Sequence, residues 1–70
     1  MQIEMIFTKP HKAVTIYAKD RVEIHEKVQN TLTRNGIEEK KAADCACWAQ
    51  SAVRGETYNE IDFDVYAVEA

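Results

Sequence analysis

Few residues in this chain could carry chemistry, and the most suggestive are Cys45 and Cys47, in the sequence Cys45-Ala46-Cys47. Two thiols so close invite a metal or redox role. If they sit in a helix, geometry opposes it. Successive helical residues advance ~100°, so residues two apart point about 160° apart around the axis. Such thiols diverge and do not chelate one ion. The spacing also differs from the C-x-x-C of redox sites and zinc ribbons. The histidines His11 and His25 lie far apart in sequence. No metal and no cofactor is therefore expected. Cys45 is expected in the core and Cys47 at the surface.

The remaining polar groups do not assemble a reaction centre. His11 follows Pro10 in a hairpin loop, and His25 flanks the apolar face of a helix near Arg21. Neither has a nucleophile at a suitable spacing. Glu60, Asp62 and Asp64 crowd the last strand. Asp62 and Asp64 share one sheet face and could hold a divalent cation, but such residues more often keep a strand solvated. The two glycines, Gly36 and Gly55, do not make a phosphate loop. No catalytic residue is expected, and the chain does not read as an enzyme.

The elements that position these groups follow from periodicity. Ile3, Met5 and Phe7 alternate with polar neighbours over residues 2 to 8, apart from Ile6, the pattern of a half-buried strand. Lys9-Pro10-His11-Lys12 breaks it. A second strand runs from Ala13 to Lys19. A four-residue loop pairs Phe7 with Val14, Met5 with Ile16 and Ile3 with Ala18, which puts the inward side chains together.

Asp20 then caps a helix in which Ile24, Val28 and Leu32 recur every four residues. Gly36 is suited to the left-handed stop, with Ile37 against Leu32. Between Gly36 and Gly55 lies a second helix, starting near Glu38, whose buried face is made of small residues: Ala42, Cys45, Ala46, Ala49, Ala52 and Val53. Trp48 stands at the edge of that face. Tyr58 to Val68 reads as one last strand, with Ile61, Phe63, Val65 and Ala67 inward.

The expected fold is α+β: a two-layer β-β-α-α-β domain with a three-stranded sheet and two helices on one face. Spatial order 1-2-3 is favoured because antiparallel pairing is commoner. Order 2-1-3, with a parallel pair, is the alternative.

Composition bounds the rest. Seventy residues make one domain, 1–70, near the lower end of what folds alone. An apolar fraction of 46% and a charged fraction of 30% are those of a globular chain. The net charge of −3 opposes a general affinity for nucleic acid or anionic membrane. No apolar run approaches ~18 residues, so no membrane span is expected. Met1-Gln2-Ile3-Glu4 lacks the features of a signal peptide, and a cytoplasmic protein with reduced thiols is expected.

Two surfaces then compete for function. Parity sends Ile6, Tyr17, Tyr66 and Val68 to the sheet face that the helices leave bare, a candidate contact for a protein partner or for a second copy in a homodimer. The other surface is a basic end, with Lys9 and Lys12 at the hairpin and Arg34, Lys40 and Lys41 around the turn between the helices, a candidate for anions or nucleic acid. Glu38, Glu39 and Glu69 offset much of that charge, and no exposed aromatics interleave with it for base stacking. The favoured function is a small non-catalytic interaction or accessory module acting through the bare face. The alternative is a nucleic-acid-associated regulator.

Overall fold

The structure is a computed structural model that describes residues 1–69. The order of elements is β1 (Gln2–Thr8), β2 (His11–Tyr17), α1 (Arg21–Arg34), α2 (Glu39–Ser51), β3 (Thr57–Asn59) and β4 (Phe63–Glu69). Among the described residues the strands form one four-stranded sheet in the order β2-β1-β4-β3, with every neighbour antiparallel. The α+β class holds, with four strands in place of three.

The extra strand comes from a turn inside the segment expected to be continuous. Asn59, Glu60, Ile61 and Asp62 reverse the chain, and the Glu60 amide donates to the Phe63 carbonyl at 2.9 Å. Asn and Asp at the flanks of this reversal are turn formers. The reversal also decides topology. β4 lies beside β1, as in the alternative strand order, but it runs antiparallel because β3 has already turned the chain around. Ile61, expected in the core, sits in the turn and is 89% exposed.

The first hairpin keeps its faces but not its register. Lys9 and Pro10 form the whole turn, so His11 and Lys12 join the ladder, and Ile3 pairs with Ile16, Met5 with Val14 and Phe7 with Lys12. The shift from the expected pairing is two residues. An even shift returns every side chain to its own face, so the core forms regardless. Ala18 opposes Met1 instead of Ile3, with the Ala18 amide donating to the Met1 carbonyl at 3.0 Å.

Both helix boundaries of α1 follow local chemistry. The Glu23 amide donates to the Asp20 carboxylate at 2.8 Å, the N-cap bond. At the other end Gly36 takes φ +85°, the Ile37 amide donates to the Leu32 carbonyl and the Gly36 amide to the Thr33 carbonyl, each at 3.1 Å. These two bonds make the Schellman stop. In α2 the small face packs as expected, with Ala42, Cys45, Ala46 and Ala49 buried. The helix ends earlier than expected, because Ala52 turns extended and Val53 and Glu56 close a turn through Val53 N–H to the Glu56 carboxylate at 2.8 Å. Val53 is therefore 54% exposed and not part of the core.

One hydrophobic core joins the layers, with Ile3, Met5, Ile24, Val28, Leu32, Phe63 and Val65 its larger fully buried members. Burying each such side chain contributes about 1.5–3 kcal/mol. A line of aromatics runs through it from the second helix to the first strand. Trp48 meets Tyr58 at 5.6 Å between ring centroids, Tyr58 stacks on Phe63 at 6.4 Å and Phe63 tilts against Phe7 at 6.3 Å.

Candidate functional site

With the core side chains of every strand turned toward the helices, the opposite parity lines the bare face. The ladder fixes its layout. Thr15, Glu4, Tyr66 and Thr57 form one row across the sheet, and Ala13, Ile6, Asp64 and Asn59 form the next. Tyr17 stands opposite Gln2 at one corner, and Val68 lies where the β1–β4 register shifts between Gln2 and Ile3. Ile6, Tyr66 and Val68 thus fall on the two central strands, and Tyr17 falls on the edge.

Exposure differs among the four. Tyr17 is 65% exposed, Tyr66 36% and Val68 38%, while Ile6 is half-buried between its cross-strand neighbours. The apolar side chains are interleaved with acid. Glu4 is the direct partner of Tyr66, and Asp64 that of Ile6. The face therefore combines two tyrosines and two aliphatic residues with negative charge.

The basic residues take several different surroundings. Lys9 occupies the β1–β2 turn, while Lys40 and Lys41 stand in the first turn of α2. Lys12 faces the helix side of the sheet, with its Nζ 5.9 Å from the centre of the Phe7 ring. Arg34 lines a groove beside β2 together with Lys27, a residue whose sequence position gave no sign of this role.

The two thiols part as the helical angle requires. Cys45 is fully buried, and burial, with the charge of Glu60 added, pushes its pKa up to about 12. Burial raises the Tyr58 hydroxyl too, with Cys45, Glu60 and Asp44 adding to the effect. Cys47 is exposed, and its Sγ lies 3.8 Å from the Nε2 of His25. The sequence concealed this pair because the two residues stand 22 positions apart, on different helices. Arg21, one turn before His25, donates to the Gln50 carbonyl at 2.8 Å and so holds the same helix faces together. An imidazole at that distance can share a proton with a thiol. Among the described residues no carboxylate bonds the ring's other nitrogen, so the orienting third group of a catalytic triad is missing. Among the described residues no three His, Cys, Asp or Glu side chains are grouped to hold a metal ion, and no helix is long and apolar enough to cross a membrane.

No family model, no curated protein and no solved structure matches the chain.

Proposed function

We propose that this protein is a non-catalytic interaction module that binds a protein partner through the bare sheet face. The observation that carries the proposal is the composition of that face. Ile6, Tyr17, Tyr66 and Val68 are left facing away from both helices, on strands whose other face is the core. Tyrosine is suited to such a contact because its ring buries large apolar area while its hydroxyl stays hydrogen-bonded. A domain of this size also gains stability from whatever covers the face.

Charge selects the kind of partner. Glu4 and Asp64 sit directly beside Tyr66 and Ile6. A second copy laid face to face would bury four carboxylates in one contact with no cation among the face's residues to offset them, which costs affinity. The complementary surface is an apolar one with Lys or Arg interspersed to meet Glu4 and Asp64 on the central strands. The test is affinity capture of partners from the native cell by the wild type and by the Tyr17→Ser, Tyr66→Ser double variant, with sedimentation of the pure protein alongside. The expected result is a monomer that retains a basic partner through these tyrosines. A homodimer broken by the same two changes would assign the face to self-association. Salt-dependent, micromolar binding of DNA or RNA by the pure protein would favour the basic residues Lys9, Lys12, Arg34, Lys40 and Lys41 instead.

A further inference from the structure

The sheet has a second unsatisfied surface, at its edge. β2 pairs with β1 on one side only. The hydrogen-bonding phase of that ladder is set at its end, where Met1 and Ala18 exchange both bonds: the Ala18 amide donates to the Met1 carbonyl at 3.0 Å, and the Met1 amine donates to the Ala18 carbonyl at 2.8 Å. Residues alternate between bonded and non-bonded pairs in an antiparallel ladder. Ile16 and Val14 therefore bond toward β1, and Tyr17, Thr15 and Ala13 turn their N–H and C=O groups outward. The Tyr17 carbonyl is taken by the Lys27 ammonium at 2.7 Å. Thr15 and Ala13 keep both groups available on the open side.

Beside this edge runs a groove of about 400 Å³, lined by β2 from Val14 to Tyr17 and by Lys27, Thr31 and Arg34 of α1. Val14, half-buried, belongs to its floor. Lys27 and Arg34 are seven residues apart, about 10.5 Å along the helix. They flank the groove with positive charge on a chain whose net charge is −3. Among the described residues Lys27 pairs with Glu23 at 3.2 Å, and Arg34 forms no ion pair. The opposite edge of the sheet differs, since β3 has only three residues. Natural sheets blunt their edges by shortness, charge or cover. β3 is blunted by its shortness, whereas β2 offers seven residues and one lysine cap at its end.

We infer that the β2 edge is a binding site for an extended acidic segment of another protein, which adds as a fifth strand. Backbone groups of Ala13 and Thr15 supply its hydrogen bonds, Val14 receives an apolar side chain, and Arg34 attracts a carboxylate, while Lys27 stays on Tyr17 and Glu23. A second copy of β2 is a poor occupant, because its own Lys27 and Arg34 would meet those of the first. This site adjoins the bare face and shares Tyr17 with it, so its test reads Thr15 and Arg34, which the bare-face proposal does not use.

The probes are two acetylated octapeptides whose helix-side positions alternate Val with Glu in one and Val with Lys in the other, with Thr at the positions between. Binding is followed by amide chemical shifts and hydrogen exchange of the protein. The Glu peptide is expected to slow exchange at Ala13 and Thr15 and to bind at least about tenfold more tightly than the Lys peptide. Arg34→Glu should abolish that preference. Thr15→Pro removes an outward donor without touching a bond to β1, and edge strands tolerate proline there. It should weaken binding while the β1 and β4 shifts stay in place. N-methylating alternate amides of the peptide should abolish binding in one phase and spare it in the other, a result that needs no protein variant. Equal binding of both peptides, indifference to N-methylation, or shifts centred on Glu4 and Tyr66 would overturn the inference.

Discussion

Cys47 Sγ lies 3.8 Å from His25 Nε2 at the surface, and only two residues away Cys45 is sealed in the core. The contrast gives the two thiols different chemistry. A thiol reagent at neutral pH should modify one cysteine quickly in the folded protein and the second only as the protein unfolds. Peptide mapping should assign the fast site to Cys47. Replacing His25 with Ala should change the rate at Cys47 and leave Cys45 protected. Fast, equal modification of both would contradict the helix that separates them.

The buried thiol also makes stability fall at alkaline pH. The Cys45 pKa rises from an ordinary 9.0 to about 12 on folding, through burial first and Glu60 second. Between these values the unfolded chain releases a proton that the folded chain keeps, so the unfolding free energy decreases as pH rises. The contribution is intact below 9.0 and is lost as pH climbs toward about 12. Tyr58, also raised, acts in the same direction. Urea unfolding at pH 8 and at pH 10.5, conditions chosen to bracket that ordinary value, should show the loss, and Cys45→Ala should flatten part of it. An identical pH slope in the variant would refute the assignment.

The split of the last strand separates two isoleucines of similar sequence appearance. Ile24 is fully buried, and Ile61 is 89% exposed in the β3–β4 turn. Ile24→Ala should cost about 2–5 kcal/mol, a large share of what a domain of this size has. Ile61→Ser should change stability by no more than about 0.5 kcal/mol. Denaturant midpoints of the two variants measure both. Comparable destabilisation would restore Ile61 to the core and remove the turn.

The class of the fold was legible because its signals are local. Asp20 and Gly36 punctuate α1, Ile24, Val28 and Leu32 give its face, and alternation over Ile3, Met5 and Phe7 gives β1. Alternation determines which face a residue joins but is blind to even shifts, so the Ile3–Ile16 pairing was out of its reach. The reversal between β3 and β4, by contrast, does break the alternation. Tyr58 on β3 and Phe63 on β4 point to the same layer, although one continuous strand would put them on opposite faces; the unbroken alternation from Ile61 to Val68 masked the turn. Because alternation holds within β1, β2 and β4, Ile6, Tyr17, Tyr66 and Val68 could be assigned to the bare face from sequence. The β2 edge and the Cys47–His25 contact depend on strand order and helix packing, which no short window of sequence contains.

The central claim is that the bare face is where a partner sits, and photo-crosslinking tests it most directly. A photoreactive amino acid is placed at Tyr66 on the face, or at Asn30, exposed on α1, and the protein is irradiated in its native cell. Position 66 should give a discrete adduct with a protein partner, and position 30 should not. With a wild-type reporter at 66 competing, Tyr17→Ser with Tyr66→Ser should compete about tenfold less well than wild type while melting at a similar temperature. An adduct from position 30 alone, or a position-66 adduct that the double variant competes as well as wild type does, would contradict the account.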